Sequence, residues 1–303
     1  MDMQVVPQPG AGPGAKAAAV GADAVAMLPP LAPRAPLVFA SPHSGRAYPP
    51  ALLEATRLDN TTLRRSEDGF METLFADAPL HGAPLLHALF PRVWCDANRE
   101  AWELDPAMFE DALPDWVNAR SARVAAGLGT VARVVATGEP IYRRRLRFAE
   151  AAERVATCWE PFHQALAALL DETQAGFGFA VLIDCHSMPS VQSHGGGTTR
   201  MPDFILGDAH GTACAPALTR RVEALLGAMG YAVRRNDPYA GGFITRHYGR
   251  PRARRHALQL EISRALYMDE KRIEPGPGLP ALAHDMGRLV AELAATDWPC
   301  LGL

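Results

Sequence analysis

Two histidines and one aspartate lie at the ends of predicted strands and helices. His43 follows the apolar run 36–40, His186 follows the most apolar run, 179–185, and Asp68 opens a predicted helix. Imidazole and carboxylate groups are the ligands of catalytic zinc sites, which keep one position open for water. Such an ion lowers the pKa of water towards about 7 and polarises a carbonyl group. These residues are therefore candidate metal ligands.

Some of these positions also have structural interpretations. His43 could be an ordinary loop histidine, and Glu67 and Asp68 could serve only to favour a helix N-terminus. Asp184 lies two residues before His186, so both side chains point the same way on an extended strand. Because an unpaired buried carboxylate is unfavourable, a functional role explains this pair better. Asp184 could accept the ring N–H of His186.

A hydrolytic metal site also needs a general base, and Glu261 is the best candidate. It closes the apolar run 256–262, where a carboxylate has no role in packing. The alternative is that Glu261 belongs to an exit loop and pairs with Arg264 or Arg255.

Arginines near other predicted strand ends indicate a pocket for an anionic substrate. Asn98 and Arg99 end the predicted strand that contains CDANR, and Arg246 lies in the Gly-rich loop 241–250. Arginine holds carboxylates through a bidentate fork. The basic run 143–145 is expected to contribute at most one of Arg143, Arg144 and Arg145, because charge runs usually form solvated surface.

Arg99 also has a structural alternative. It could pair with Asp96 or Glu103 and only brace its loop. The carboxylate pocket would then have to be built from Arg246 or from the run 143–145.

These residues must be positioned by a sheet and its helices. Continuous apolar runs are typical of strands buried on both faces, and apolar residues spaced by three and four indicate helices. Strands that alternate with helices predict an α/β sandwich, in which binding sites collect at the carboxyl ends of strands. The predicted strands are 36–40, 92–97, 179–185, 203–207, 231–235 and 256–262, and the predicted helices are 72–82, 148–174, 214–230 and 281–296.

Composition narrows the class of protein. The chain has 303 residues, 48% of them hydrophobic and 21% charged, with a formal net charge of -3. This balance argues against a nucleic-acid-coating surface or a polybasic membrane anchor, and no apolar run reaches the ~18 residues of a membrane span. Five sparse cysteines without a CxxC pair indicate reduced thiols and a cytoplasmic enzyme.

Two segments are predicted to lie outside the packed core. Residues 1–35 are rich in Ala, Gly and Pro and can bury little, which predicts a flexible leader before a single domain over 36–303. HGGGTT (194–199) lacks the Lys-Ser/Thr of a phosphate-binding loop and is predicted to be a flexible loop near the site.

In order and spacing, the motifs together resemble those of the N-formylglutamate amidohydrolase family, from about residue 36 to about residue 273. The matching stretches are PHSG (42–45), SEDGFMETLF (66–75), CDANRE (95–100), GEPIYRRRL (138–146), PFH (161–163), IDCHSM (183–188), MPDFILGDAHGTAC (201–214), GGFITRHYGRP (241–251) and LQLEISRALYMDE (258–270).

The resemblance implies a fold and a set of roles. The fold would be a three-layer α/β sandwich of the phosphorylase/hydrolase-like type, similar to zinc carboxypeptidases, with a mixed central sheet flanked by helices. The implied roles are metal ligands at His43, Asp68 and His186, a general base at Glu261, and substrate binding by Arg99, Asn98 and Arg246.

The implied reaction is the metal-dependent hydrolysis of N-formyl-L-glutamate to formate and L-glutamate, a step of histidine degradation. One divalent metal is expected, with zinc preferred, although these ligands also suit Mn, Co or Fe. The expected partner is a small acidic N-acyl amino acid, with no nucleic acid and no membrane, and the sequence does not determine the oligomeric state. The alternatives are a zinc hydrolase for another N-acyl amino acid or small acidic peptide, and a non-catalytic metal-binding metabolite sensor, which would not need Glu261.

Overall fold

A seven-stranded sheet forms the centre of the protein in a computed structural model that describes residues 24–194 and 197–302. Two small two-stranded sheets accompany it. In chain order the strands are β1 (Val25–Leu28), β2 (Leu37–Ser41), β3 (Leu85–Ala88), β4 (Ala180–Met188), β5 (Val191–His194), β6 (Gly197–Arg200), β7 (Phe204–Gly207), β8 (Val233–Arg235), β9 (Arg255–Ser263), β10 (Met268–Asp269) and β11 (Glu274–Pro275).

The central sheet is mixed, as predicted. Its spatial order is β1-β3-β2-β4-β9-β7-β8. Strands β3, β2, β4 and β9 are parallel neighbours, whereas β1 runs antiparallel to β3 and β7 runs antiparallel to β9. The carboxyl ends of β2, β4 and β9 therefore meet at one edge of the sheet.

Helices cover both faces of the sheet and complete the three layers. The helices are α1 (Pro50–Ala55), α2 (Asn60–Arg64), α3 (Met71–Leu74), α4 (Ala122–Ala125), α5 (Phe148–Arg154), α6 (Glu160–Phe177), α7 (Pro216–Ala228), α8 (Phe243–Tyr248) and α9 (Leu279–Ala294). On one face, Ile183 of β4 belongs to a core built with α3, α7 and α9, and on the other face Leu182 packs with α6. The predicted α/β sandwich is confirmed.

One face of strand β4 changes from apolar to polar along its length. Ala180 and Leu182 pack against α6, and the next two residues on that face are Asp184 and His186. The parallel neighbour β9 changes from apolar to polar in the same direction, and Glu261 lies on its polar part, beside His186. The core therefore ends where the polar edge of the sheet begins.

Several predicted elements differ from the structure. The predicted strand 92–97 is a turn instead, because the N–H groups of Trp94 and Cys95 both donate to the carbonyl oxygen of Pro91, at 2.9 and 3.3 Å. The predicted helix 72–82 is interrupted after α3, and a 3-10 turn follows at Ala78–His81.

Two predicted loops are ordered into elements. The Gly-rich segment 241–250 contains helix α8, because Gly242 only precedes its first turn. Of the predicted flexible loop 194–199, the described residues take part in the β5–β6 hairpin, and residues 195–196 lie outside the described residues.

Part of the predicted leader 1–35 forms a strand. Residues 1–23 lie outside the described residues, but Val25–Leu28 forms edge strand β1, in which Val25 pairs with Ala88. The short apolar stretch VAML pairs with β3 although its surroundings are rich in Ala and Pro. The average composition of residues 1–35 does not reveal so short a strand.

Two further observations concern the cysteines and the apolar character of the helices. All five cysteines are free, and four of them are buried. In the described part of the chain, none of the helices combines the length and apolar character required to cross a membrane.

Candidate active site

His43, Asp68 and His186 come together at the carboxyl edge of the sheet. The Oδ2 atom of Asp68 lies 3.1 Å from Nδ1 of His43 and 2.9 Å from Nδ1 of His186. All three side chains are buried, and one potential ligand atom from each lies within 4.8 Å of the others. Three segments that are distant in sequence thus form one compact cluster.

Local backbone constraints hold the two loops of this cluster together. His43 lies two residues beyond β2, and the N–H of Asp68 donates to the carbonyl oxygen of His43 at 3.0 Å. Gly45 permits the turn, because a Cβ atom at that position would lie 2.1 Å from the carbonyl oxygen of Phe90. The PHSG motif therefore reflects close packing against the chain that leaves β3.

Each histidine is held through its second ring nitrogen by a further carboxylate. Nε2 of His186 lies 2.9 Å from Oδ1 of Asp184, and Nε2 of His43 lies 2.7 Å from Oδ1 of Asp96. An Nε2–H that donates to a carboxylate leaves Nδ1 as the nitrogen available to a metal. Asp184 is where the sequence predicted it, whereas Asp96 was considered only as a partner of Arg99.

The second oxygen of Asp68 is occupied by other side chains. Ser187 Oγ donates to Oδ1 at 3.0 Å, and Arg264 Nη2 lies 3.3 Å from the same atom. Arg264 also donates to the carbonyl oxygens of Arg65 at 3.1 Å and Glu67 at 2.6 Å. These contacts fix the carboxylate so that only Oδ2 faces the histidines.

The chemistry of this donor set fits a divalent metal ion. Burial favours the neutral form of Asp68, but hydrogen bonds from His186 and His43 hold its pKa well below the usual value. Burial likewise favours neutral His186, but Asp184 and Asp68 raise its pKa well above the usual value, so a metal ion that binds Nδ1 would replace a proton there. Two imidazole nitrogens around one ionised carboxylate oxygen make a possible metal-binding site with room for water.

Glu261 lies next to this cluster on strand β9. It pairs with His186 across the parallel register, and Gln259 Nε2 donates to its Oε1 at 2.7 Å. Burial raises the pKa of Glu261 to about 7. Within the described residues neither Arg264 nor Arg255 pairs with Glu261, so the exit-loop alternative is wrong.

A cavity of about 470 Å³ opens onto the cluster, within the usual size range of small-molecule sites. Its walls include every predicted metal-ligand, base and substrate-binding residue. Asp184 lies behind His186 and is not part of the wall. The predicted residues that line the cavity are His43, Asp68, Asn98, Arg99, His186, Arg246 and Glu261.

The basic run 143–145 contributes nothing to this cavity. Arg143, Arg144 and Arg145 instead line a separate cavity of about 290 Å³, together with Arg57 and Arg133. At most one arginine of this run was expected in the site, and none of the three lines its cavity.

Arg99 braces its loop and also lines the cavity. Its Nε donates to the carbonyl oxygen of Leu128 at 2.8 Å and its Nη1 to that of Asn98 at 2.7 Å, while Nη2 lies 3.6 Å from Asp96 Oδ2. Burial lowers the pKa of Arg99 to about 10. The bonds to Leu128 and Asn98 hold the side chain against its loop. Arg99 also lines the cavity, and its other N–H groups on Nη1 and Nη2 take no part in these two bonds.

Asn98 links the site to helix α8. Its Oδ1 accepts the N–H of Ile244 at 2.8 Å, which fixes the orientation of the amide, and its Nδ2 lies 3.2 Å from His186 Nε2. The chain passes so close that a Cβ on Gly242 would lie 2.4 Å from Asn98 Nδ2. Glycine at 242 is thus required by contact with a site residue.

Several residues that line the cavity were not predicted as site residues. Among them are Asp96, Arg92, Gln259 and Arg264. Gln259 could have been found, since it lies two residues before Glu261 and therefore shares its strand face, the same argument that linked Asp184 to His186. Arg92 donates to Asp96 at 2.9 Å through a turn that local patterns did not indicate.

Sequence comparisons find relatives in one family of known proteins. Residues 35–268 match the sequence profile of the N-formylglutamate amidohydrolase family. The N-formylglutamate deformylase of Pseudomonas aeruginosa is 34% identical over 244 residues, 78% of this chain and 84% of that protein. That of Pseudomonas putida is 31% identical over 242 residues, 78% of this chain and 83% of that protein.

The fold comparison gives the same result. The crystal structure of N-formylglutamate amidohydrolase from Ralstonia eutropha JMP134 superposes with a TM-score of 0.84 at 35% identity, covering 92% of this chain and 99% of that chain. A gene product of Agrobacterium tumefaciens shares the fold at 19% identity, with a TM-score of 0.59. Because the family profile matches most of the chain and both Pseudomonas relatives are more than 30% identical, this chain belongs to the N-formylglutamate amidohydrolase family.

Proposed function

We propose that this protein hydrolyses the amide bond of N-formyl-L-glutamate, giving formate and L-glutamate, and that the reaction depends on one divalent metal. The observation that carries the proposal is Glu261, a buried carboxylate beside the His43–Asp68–His186 cluster in the same cavity. A metabolite sensor would not need a base at this position. The names of the two Pseudomonas relatives support the choice of substrate.

His43, Asp68 and His186 would hold the metal. Zinc is preferred because two imidazoles and one carboxylate with an open position are typical of its catalytic sites, although Mn, Co and Fe accept the same ligands. When bound, the ion would supply Lewis-acid activation of water and of the formyl carbonyl group. The protein supplies the remaining chemistry.

Glu261 moves the proton. It accepts a proton from the attacking water, whose oxygen forms a bond to the formyl carbon, and it delivers that proton to the amine nitrogen as the carbon–nitrogen bond breaks. Gln259 donates to Oε1 of Glu261, which leaves Oε2 as the oxygen directed to the water. The products are formate and the free amino group of glutamate.

The charge of the cavity suits a dicarboxylate substrate. Five arginines line it against three carboxylates, so its wall carries an excess of positive charge before any metal is bound. Asn98 Nδ2 and the remaining N–H groups of Arg99 would donate to the substrate. The arginines are Arg92, Arg99, Arg123, Arg246 and Arg264, and the carboxylates are Asp68, Asp96 and Glu261.

The direct test combines metal analysis with a formate-release assay. The metal-loaded protein should release formate from N-formyl-L-glutamate, with slower release of acetate from N-acetyl-L-glutamate and of formate from N-formyl-L-aspartate, and a chelator should remove the activity. A metal-loaded protein that releases no formate from N-formyl-L-glutamate would contradict the proposal. Cleavage of another member of the panel instead would favour a hydrolase for a different N-acyl amino acid.

Arg99→Lys should raise KM for N-formyl-L-glutamate about tenfold, the equivalent of one charge-assisted hydrogen bond. Lysine keeps the charge but loses the fork. Because Arg99 also binds the carbonyl oxygens of Leu128 and Asn98, the midpoint of thermal unfolding should fall as well. Steady-state kinetics of the folded protein provide the measurement, and unchanged KM with lower stability would assign Arg99 a purely structural role.

Asp96→Asn should weaken metal binding about 10- to 100-fold, as expected when the partner of a histidine ligand is changed. The substitution keeps the shape of the side chain but removes the charge that holds His43 Nε2. Competition with a chromogenic chelator measures the affinity. Asp285→Asn is the control, because Asp285 bonds Tyr231 away from the cavity, and equal affinity in the two variants would remove Asp96 from this role.

The protein's location remains a prediction. The free cysteines support the cytoplasm, where thiols stay reduced.

A further inference from the structure

Arg123 is an arginine that sequence analysis did not single out. It contributes to the positive charge of the cavity, but the proposed reaction assigns it no contact. It is exposed on helix α4 and lines the cavity. It also lines an adjoining groove of about 370 Å³, which shares Arg99 and Arg246 with the cavity. Over the described residues, the Arg123 side chain makes no hydrogen bond and no ion pair.

The segment that carries Arg123 is fixed against the loop of Arg99. The carbonyl oxygen of Leu128 accepts Arg99 Nε at 2.8 Å, and the carbonyl oxygen of Thr130 accepts the N–H of Asp96 at 2.8 Å. Ser121 Oγ accepts the N–H of Val124 at 3.0 Å and caps the helix. The position of Arg123 relative to Arg99 is therefore set by hydrogen bonds to main-chain groups of its segment.

Two guanidinium groups close to each other at one cavity are unfavourable without an anion. The positive charges of Arg92 and Arg123 act with burial to lower the pKa of Arg99, against the opposing effect of Asp96. Asp96 is already shared by His43, Arg92 and Arg99. An anionic ligand that reaches Arg123 would relieve this repulsion.

The order of these groups matches the order of charges in a formylated dicarboxylic amino acid. Arg99 is buried and connected to the metal-ligand cluster through Asp96, whereas Arg123 is exposed and lies further out. In the substrate, the α-carboxylate is attached to the carbon that carries the scissile amide. The side-chain carboxylate lies further away along the chain, so the inner arginine suits the former and the outer arginine the latter.

We propose that Arg123 binds the side-chain carboxylate of the substrate and thereby determines the preference for a formylated dicarboxylic amino acid. This inference rests on the proposed deformylase function. Arg123 donates its N–H groups to that carboxylate, while Arg99 and Asn98 hold the α-carboxylate. Its role is recognition, and the proton transfer by Glu261 does not involve it.

The test compares N-formyl-L-glutamate with N-formyl-L-glutamine, which has the same shape but an uncharged side chain. Arg123→Met should lower kcat/KM for the glutamate substrate about 10- to 100-fold, the loss expected for charge-assisted hydrogen bonds. It should leave kcat/KM for the glutamine substrate within about twofold of the wild type, because the backbone and metal cluster are untouched. Arg123→Lys should retain part of the preference.

Arg120→Met is the matched control, since Arg120 is also exposed on the same segment but lines neither the cavity nor the groove. It should behave as the wild type on both substrates. An equal loss on both substrates in Arg123→Met and Arg123→Lys, or no loss on either, would overturn the role of Arg123. Failure of the wild-type, metal-loaded protein to release formate from either substrate would instead overturn the proposed function.

Discussion

Glu261→Gln is expected to lower kcat by at least ~100-fold, the low end for loss of a general acid–base group. Glutamine has nearly the same shape but cannot accept the proton from water. The metal should remain at one equivalent, because Glu261 is not among the three side chains of the cluster. Single-turnover formate release, metal content and thermal unfolding should be measured on the same preparation.

The matched control for this variant is Glu292→Gln. Glu292 lies on the outer helix α9, remote from the cavity, and pairs with Arg221 of α7. Its substitution should change none of the three measurements. Near-normal turnover in Glu261→Gln would show that another group is the base. Loss of metal in that variant would place Glu261 among the ligands instead.

His186→Ala is expected to abolish stoichiometric metal binding and, with it, formate release. The loss of affinity should exceed the ~100-fold that marks the upper range for changes to outer partners of a ligand. The deletion also leaves Asp184 without its ring N–H and Asp68 without one of its two histidines. Because buried carboxylates without partners are unfavourable, the metal-free variant should unfold at a lower temperature than the metal-free wild type.

Metal content after dialysis and a metal titration followed by unfolding temperature provide the readouts for His186→Ala. His284→Ala is the control, since His284 is exposed on α9 and outside the cluster. Retention of full metal content by His186→Ala would exclude the cluster as the metal site, whatever the activity.

The strand-end residues show how far local patterns reach. The apolar run before His186 predicted a buried strand, and the two-residue spacing predicted that Asp184 shares its face. Both follow from the alternation of side chains along an extended chain, and both agree with the structure. The same alternation places Gln259 beside Glu261, so this contact was predictable in principle.

The mixed order of the sheet was predicted only by resemblance to a family. Nothing in the residues of β1 indicates that it pairs with β3, because a four-residue edge strand has little apolar periodicity. The turn at 91–97 was mistaken for a strand for a related reason. Its apolar side chains are buried against the rest of the protein, while the N–H groups of Trp94 and Cys95 bond within the turn.

The sequence by itself determined which residues could do chemistry: two histidines and a glutamate at the polar ends of apolar runs, and an aspartate at the start of a predicted helix. Only the tertiary structure decided what surrounds them. Asp96 reaches His43 over a separation of 53 residues, and Arg264 reaches Asp68 over 196. Patterns along the chain report the conformation of neighbouring residues, whereas such partners are set by the packing of strands and loops that meet only in the folded protein.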